Sequence, residues 1–181
     1  MTAPAALVAT TSGPEDTRAL AGAIAELCEP GDVLLLAGDL GSGKTTFAQG
    51  FGAGLGVTEP ITSPTFALVR QYRLGDGGGD DAGGGPRLRT LLHADVYRLD
   101  HLAEIADLGL GELVEDGAVA LVEWGDRAEP VLGDGSLSLR LEAGPGDPDD
   151  RRTVTILWSG PRWADRWQRL ARVVTGWATG R

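Results

Sequence analysis

Two short runs of the sequence are almost entirely apolar and predict strands that are buried on both faces of a sheet. Residues 33–37 read VLLLA and residues 118–122 read AVALV. A strand without polar alternation is typical of a sheet that is covered on both sides. Helical patterns lie between such strands, so the sequence predicts an α/β sandwich with some parallel strand pairing.

The first helix is predicted before the strand at 33–37. Ser12 and Glu15 fit a capping box, in which each side chain accepts a hydrogen bond from the backbone N–H of the other residue. Leucine and isoleucine then recur at helical spacing, and the pattern ends at Pro30. The sequence therefore predicts a helix that starts after Ser12 and ends before Pro30.

Two pairs of strand-like segments are separated by turn-forming residues and predict hairpins. Segments 66–74 and 88–94 flank the glycine-rich stretch 75–86, which reads GDGGGDDAGGGP. Segments 136–142 and 153–158 flank a second break that is rich in glycine and proline. Because glycine loses the most backbone entropy on ordering, we expect 75–86 to be a flexible hairpin tip. Hairpins combined with parallel strands make the predicted sheet mixed.

The C-terminal segment carries apolar residues at helical spacing and predicts a helix at about 161–178. These residues share one helical face; they are Trp163, Trp167, Leu170, Val174 and Trp177. We expect this face to dock onto the sheet. The alternative is an exposed aromatic stripe that binds a partner protein.

Length and composition favour one soluble domain over residues 1–181. Hydrophobic residues make up 42% of the chain and charged residues 23%, which suffices for a buried core. The net charge of -10 disfavours strong direct binding to nucleic acid, because such binding needs a basic face. No apolar run approaches the roughly 20 residues that cross a membrane, and the N-terminus lacks the basic segment of a signal peptide. We therefore expect a cytoplasmic protein.

A phosphate-binding motif follows the first predicted buried strand. Residues 38–45 read GDLGSGKT and match the pattern G-x-x-x-x-G-K-[ST] without deviation. A helical run follows the motif, as a phosphate-binding loop requires. Gly41 and Gly43 lack side chains, so the backbone can aim successive N–H groups at phosphate oxygens beside the N-terminus of that helix.

Two side chains of the motif have specific expected roles. Lys44 is the only lysine in the chain and is expected to contact the β- and γ-phosphates. Thr45 is the expected ligand of Mg²⁺. The motif and its context predict that the protein binds a nucleoside triphosphate with Mg²⁺, within a three-layer P-loop NTPase-like sandwich.

Two acids at predicted strand ends compete for a further role at this site. Hydrolysis needs a carboxylate that helps to hold the metal or orients the attacking group. Asp95 ends the run LLHAD, and Glu123 ends the cleaner run AVALVE. The pattern slightly favours Glu123, and both could serve together. His93 is interpreted as a strand residue, because His101 is the only other histidine and a metal site would lack partners.

The sequence does not support recognition of GTP. The guanine-reading motif N-K-x-D cannot occur, because Lys44 is the only lysine. Trp124 directly follows Glu123, and its flat ring could pack on a purine or belong to the core.

Four segments together resemble the TsaE family, formerly YjeE. They are residues 38–50 (GDLGSGKTTFAQG), 63–66 (SPTF), 93–99 (HADVYRL) and 122–124 (VEW). The resemblance covers about residues 10–139, and its last three segments are specific to that family. Members of the family are bacterial ATPases required for N6-threonylcarbamoyladenosine modification of tRNA, and they work with TsaB and TsaD. The glycine-rich insertion and the Trp/Arg-rich C-terminal segment depart from the family pattern without touching a motif.

The resemblance implies a role for each matching residue. The implied catalytic residues are Lys44, Asp95 and Glu123. The implied metal-associated residues are Thr45, Asp95 and Glu123. Asp95 resembles a Walker-B-type aspartate, and Thr65 resembles a switch that senses the γ-phosphate. The implied nucleotide contacts are Gly41, Ser42, Gly43, Lys44, Thr45, Thr46, Thr65, Trp124 and Asp126.

The resulting prediction is a Mg²⁺-dependent ATPase, stimulated by partners, that assists TsaD in modifying adenosine 37 of tRNAs decoding ANN codons. Two alternatives stay open at this point. A small-molecule P-loop kinase would transfer the phosphoryl group to a metabolite, although residues 75–86 lack the arginines usual in a kinase lid. A nucleotide-gated binding module would associate with TsaB and TsaD and would keep its function without hydrolysis.

Overall fold

The computed structural model describes residues 6–64, 67–75, 88–144 and 150–178. The strands are β1 (Leu7–Thr11), β2 (Val33–Ala37), β3 (Val69–Arg73), β4 (Thr90–Asp95), β5 (Val119–Glu123), β6 (Leu137–Glu142) and β7 (Arg152–Trp158). The α-helices are α1 (Pro14–Ala25), α2 (Lys44–Gly54), α3 (Leu102–Asp107), α4 (Leu110–Glu115), α5 (Glu129–Leu132), α6 (Gly160–Ala164) and α7 (Trp167–Val174). Short 3₁₀ turns follow β5 at Gly125–Arg127 and α7 at Thr175–Trp177.

The centre of the sheet is parallel, and its outer parts are antiparallel. The strand order is β1-β7-β6-β2-β5-β4-β3. Strands β6, β2, β5 and β4 run parallel, whereas β3 pairs antiparallel with β4, and β7 pairs antiparallel with β6 and β1. The predicted mixed sheet and both predicted hairpins are therefore confirmed. Beyond Gly75, the predicted flexible tip lies outside the described residues and stays a prediction.

Helices cover both faces of the central strands. Every residue of β2 and β5 is buried, as the apolar runs predict, and β5 ends at Glu123, the predicted strand-end acid. One apolar cluster packs α1, α2, α6 and α7 against the sheet, and a second packs α3, α4 and α5 against the opposite face. The predicted three-layer α/β fold is thus confirmed. No helix in the described ranges combines the length and apolarity that crossing a lipid bilayer needs.

Helix α1 begins with a different cap from the predicted Ser12–Glu15 box. Gly13 is the N-cap residue, and Pro14 occupies the first helical position, which suits its fixed φ. The third helical position therefore falls on Asp16 rather than Glu15. The carboxylate of Asp16 accepts from the backbone N–H of Ser12 at 2.8 Å and from its hydroxyl at 3.2 Å. The predicted capping box was wrong by one residue.

The C-terminal segment forms two helices rather than the single helix predicted at 161–178. Helix α6 ends at Ala164, and α7 begins at Trp167. Between them, Arg166 donates to both carboxylate oxygens of the buried Asp32 at 2.6 and 2.7 Å, and to the carbonyl of Leu27 at 2.8 Å. The prediction used only the spacing of apolar residues. A buried arginine that pairs with a buried carboxylate cannot be recognised from that spacing.

The apolar face of this segment docks onto the sheet, as expected. Trp163, Leu170 and Val174 are buried in the same cluster as α1 and α2. Trp167 and Trp177 are half-buried and pack against that cluster. The alternative of an exposed aromatic stripe is therefore wrong.

Candidate nucleotide-binding site

The predicted phosphate-binding loop joins β2 to α2 at the carboxyl edge of the parallel strands. Three of its glycines have positive φ angles: +140° at Gly38, +78° at Gly41 and +102° at Gly43. A residue with a side chain would be strained at these angles. At Gly38, a Cβ would also lie 2.3 Å from the carbonyl oxygen of Leu141. The glycines therefore allow a tight loop, and the last of them caps the N-terminus of α2.

Lys44 is the first residue of α2, and its ammonium group reaches back across the loop. Nζ donates to the carbonyl oxygens of Gly38 at 2.7 Å and Asp39 at 2.8 Å, and it lies 4.0 Å from the centre of the Trp124 ring. Only 5% of Lys44 is exposed. Burial lowers the pKa of Lys44 by more than the nearby acids, led by Glu123, raise it. An anion beside Nζ would stabilise the charged form.

Thr45 is linked to Glu123 at the end of β5. Its hydroxyl donates to the Glu123 carboxylate, with 3.2 Å to each oxygen. Oε1 of Glu123 also lies 2.9 Å from Nε2 of His93 on the neighbouring strand β4. His93 is 0% exposed and Glu123 is 3% exposed. A buried carboxylate is costly unless it is hydrogen-bonded, so these two contacts fix Glu123 beside the first turn of α2.

Asp95 ends β4 directly opposite Glu123 on β5. Its Oδ2 accepts from the hydroxyl of Ser63 at 2.9 Å, and its Oδ1 accepts from the backbone N–H of Tyr97 at 2.9 Å. Unlike Glu123, Asp95 is only half-buried. The structure therefore brings both candidate acids to one edge of the sheet, in two different environments.

Trp124 has a left-handed backbone conformation, with φ at +59°, which is uncommon for a residue other than glycine. Its ring lies over the Lys44 ammonium and against the ring of Tyr97, with 4.7 Å between the two ring centres. Arg127 supports this pair, since its Nη1 donates to the carbonyl of Tyr97 at 2.8 Å. Trp124 thus borders the lysine side of the cleft, and its packing on a purine stays a prediction.

These elements enclose a cleft of about 500 Å³. It is lined by Leu40, Gly41, Gly43, Lys44, Thr45, Thr46, Ser63, Asp95, Tyr97, Arg98, Glu123 and Trp124. The parts of the chain that the structure describes contain no group of three or more His, Cys, Asp and Glu side chains that could hold a metal by themselves. Mg²⁺ does not need such a group, because it binds through one or two carboxylates, phosphate oxygens and waters. The oxygen donors of Thr45, Glu123 and Asp95 fit this requirement.

The other predicted site residues are distributed around and beyond the cleft. Thr46 lines it, and the Ser42 hydroxyl lies 3.5 Å from the lysine Nζ. Asp126 is exposed and lines a neighbouring cavity instead, so its contact with a nucleotide stays a prediction. Thr65 lies outside the described residues, and its switch role also stays a prediction.

Sequence reasoning missed the contacts that orient the two acids. His93 is a strand residue, as interpreted, but its ring also contacts Glu123. A signal was present, because His93 precedes Asp95 by two positions and therefore points to the same face of the sheet. Ser63 lies in an irregular segment, where no periodicity indicates its contact with Asp95.

Comparison with known proteins identifies relatives along most of the chain. The family model described as "Threonylcarbamoyl adenosine biosynthesis protein TsaE" matches residues 11–153, a range that includes every residue of the cleft. The tRNA threonylcarbamoyladenosine biosynthesis protein TsaE of Bacillus subtilis is 38% identical over 162 residues, covering 90% of this chain and 92% of that protein. The protein of the same name from Streptomyces coelicolor is 41% identical over 150 residues, covering 81% and 93% respectively.

A solved structure supports the same relationship. The crystal structure of Bacillus subtilis YdiB superposes on this fold with a TM-score of 0.70 at 36% sequence identity. The match covers 93% of this chain and 95% of that one. The similarity in sequence is therefore accompanied by similarity of the fold over most of the chain.

Proposed function

The chain belongs to the TsaE family of threonylcarbamoyl adenosine biosynthesis proteins, and from this membership and the geometry of the cleft we propose that it is a Mg²⁺-dependent ATPase. It acts with TsaB and TsaD in forming N6-threonylcarbamoyladenosine at adenosine 37 of tRNAs that decode ANN codons. The partners and the tRNA substrate come from the family resemblance. The residues of the cleft support the proposed hydrolysis of ATP.

The observation that carries the proposal is the contact between Thr45 and Glu123 beside the Lys44 ammonium. A hydroxyl and a carboxylate, both suitable for Mg²⁺, meet at the N-terminus of a helix that follows a glycine-rich loop. Such a helix end attracts phosphate, and the lysine adds a full positive charge. Thr45, Glu123 and Asp95 would hold Mg²⁺ here, and the ion would supply positive charge that neutralises the phosphates.

Each residue of the cleft then has a defined task. The loop amides bind the phosphates, and Lys44 also stabilises the charge that develops on them during transfer. Glu123, which contacts His93, keeps the Thr45 hydroxyl oriented. Together with Thr45, it would help to hold the metal. Asp95 is more exposed and would orient the attacking water or help to hold the metal. Phosphoryl transfer to water requires positioning and charge stabilisation rather than covalent chemistry, and these residues provide both.

Two features support a need for partner proteins. The rim of the cleft is exposed and carries apolar surface on Leu40, at 89% exposure, and on Tyr97, at 51%, beside the charged Arg98. A protein that covers this rim would exclude bulk water and strengthen the electrostatic interactions inside. The net charge of -10 further favours a role in tRNA modification that is exerted through TsaB and TsaD, because direct binding to tRNA phosphates needs a basic face.

Turnover of Mg·ATP in ¹⁸O-labelled water tests the chemistry. We expect ADP and inorganic phosphate as products, with the label in the phosphate, and no turnover after Mg²⁺ is removed with EDTA. Transfer of phosphate to an added metabolite would support a kinase instead. Full formation of the modified nucleoside by a variant that binds ATP but cannot hydrolyse it would support a binding module.

A further inference from the structure

Arg152 holds the outer side of the phosphate-binding loop, although it lies 110 residues from Ser42 in the sequence. Its Nε donates to the carbonyl of Ser42 at 3.0 Å, and its Nη2 donates to the carbonyl of Gly41 at 3.2 Å. The planar guanidinium thus contacts two successive carbonyls through two different nitrogens that are held in a fixed geometry. The backbone of Arg152 is fixed in the sheet, because it is the first residue of β7 and pairs with Thr11 of β1.

The loop itself has little preference for one conformation. Gly41 and Gly43 both have positive φ angles, and open space surrounds the position that a Cβ of Gly41 would occupy. Glycine has many accessible backbone states, so hydrogen bonds to the loop backbone, from within the loop and from outside it, decide its shape. Arg152 supplies such contacts at the peptide units between these two glycines.

The direction of the loop amides follows from the direction of the carbonyls. A trans peptide unit is planar, and its C=O and N–H point in opposite directions. The Ser42 carbonyl shares its unit with the N–H of Gly43, which therefore points away from Arg152 and toward the cleft that Gly43 lines. The Gly41 carbonyl shares its unit with the N–H of Ser42, which donates to the Asp39 carbonyl at 3.1 Å and closes the loop.

We infer that Arg152 is a positioning residue for phosphate binding, acting through the loop and not on the nucleotide directly. This inference rests on the proposed function, because it takes a nucleotide polyphosphate as the ligand. If the loop binds the phosphates equally tightly in the ground state and in the transition state, its contacts lower KM without changing kcat. Loss of Arg152 is therefore expected to raise KM for ATP and to leave kcat nearly unchanged.

Binding of Mg·ADP and of Mg·pyrophosphate, measured by titration calorimetry, tests the inference. Arg152→Gln is expected to weaken both ligands by the same factor, about tenfold to a hundredfold, because two charge-assisted hydrogen bonds to the loop are lost. Arg152→Lys recovers part of the affinity. Arg151→Gln is the matched control: it removes the same charge at the adjacent exposed position, and affinity is expected to stay within about twofold.

Hydrogen exchange of the ligand-free proteins separates loop positioning from a general loss of structure. In Arg152→Lys, the amide of Ser42, which donates to the Asp39 carbonyl, is expected to exchange faster while strand β7 keeps its protection. The inference is overturned by unchanged binding in Arg152→Gln, by an equal loss in Arg151→Gln, or by a loss confined to ADP. Failure of the wild-type protein to bind Mg·ADP would instead contradict the proposed function itself.

Discussion

Asp95 and Glu123 are register partners at the ends of the parallel strands β4 and β5, yet their carboxylates lie in different environments. Glu123 is buried and contacts Thr45 and His93. Asp95 is half-buried and accepts a hydrogen bond from Ser63. Two neighbouring acids in distinct surroundings can divide the work of one reaction between them.

This division leads to a prediction for the two acids. Glu123→Gln and Asp95→Asn are each expected to lower kcat for ATP hydrolysis by about a hundredfold or more, because the amide keeps the shape of the side chain but loses its charge and basicity. Affinity for Mg·ADP is expected to change by less than about tenfold. Single-turnover hydrolysis and calorimetry measure the two effects. Wild-type turnover in both variants would show that neither acid has the assigned role.

His93 is expected to act through Glu123. His93→Asn should lower kcat by about tenfold, since outer-sphere partners of ligating groups contribute on that scale. In the Glu123→Gln background the same substitution should have little further effect, because the oriented carboxylate is already lost. A double-mutant cycle on kcat measures this coupling, and strictly additive losses would argue against it.

Lys44 cannot be replaced at its position. Lys44→Ala is expected to abolish productive binding of Mg·ATP, because the phosphates lose their main counter-charge. Lys44→Arg should also fail, since a planar guanidinium does not reproduce the compact ammonium held by the carbonyls of Gly38 and Asp39 beneath Trp124. Calorimetric titration with Mg·ADP checks both variants. Unchanged affinity and turnover in the alanine variant would be incompatible with the site as assigned.

The buried pair of Asp32 and Arg166 is expected to stabilise the docking of α7. Asp32→Asn removes the buried partner of the Arg166 guanidinium and leaves it facing the exposed Glu29 carboxylate at 3.9 Å, and breaking such a buried pair costs about 3 to 5 kcal/mol of unfolding free energy. Arg169→Gln, an exposed position on the same helix, serves as the control and should change stability by less than about 0.5 kcal/mol. Urea denaturation measures both. Equal stability of the two variants would contradict a structural role for the pair.

Asp16 gives a prediction for acid stability. Burial raises the pKa of Asp16, but hydrogen bonds from the Ser12 backbone, the Trp177 indole and the Ser12 hydroxyl outweigh it and lower the pKa below the usual 3.8. The ionised form is therefore favoured by folding, so its contribution is complete above pH 3.8 and is lost as the pH falls through the lowered pKa. Asp16→Asn should cost about 1 kcal/mol at neutral pH. The difference from wild type should shrink in strong acid, and a constant difference in urea denaturation would contradict this assignment.

Features of the fold that depend on local pattern could be predicted from the sequence. The run VLLLA locates β2 at residues 33–37, and the glycine motif locates the loop and the start of α2, because burial on both faces and a glycine-rich turn leave local signatures. The ends of β4 and β5 were predictable for the same reason. These two strand ends lie close together only because β4 and β5 are neighbours, and that was established by the strand order in the structure.

Contacts between remote residues could not be predicted in this way. Arg166 and Asp32 lie 134 residues apart, and neither stands out in a hydrophobic pattern. Arg166 lies in the break between α6 and α7, and a helix predicted only from the spacing of apolar residues ran through this break. Arg152 likewise lies just before the strand predicted at 153–158, and nothing in the local pattern indicates its contact with the loop.

The most direct test of the account is Mg²⁺-dependent ATP hydrolysis by this protein, alone and with TsaB and TsaD from the same source. We predict a low rate for the protein alone, a higher rate when both partners are added, and loss of the stimulated rate in Lys44→Ala. A brisk rate that does not respond to the partners, or no hydrolysis under either condition, would contradict a partner-stimulated ATPase.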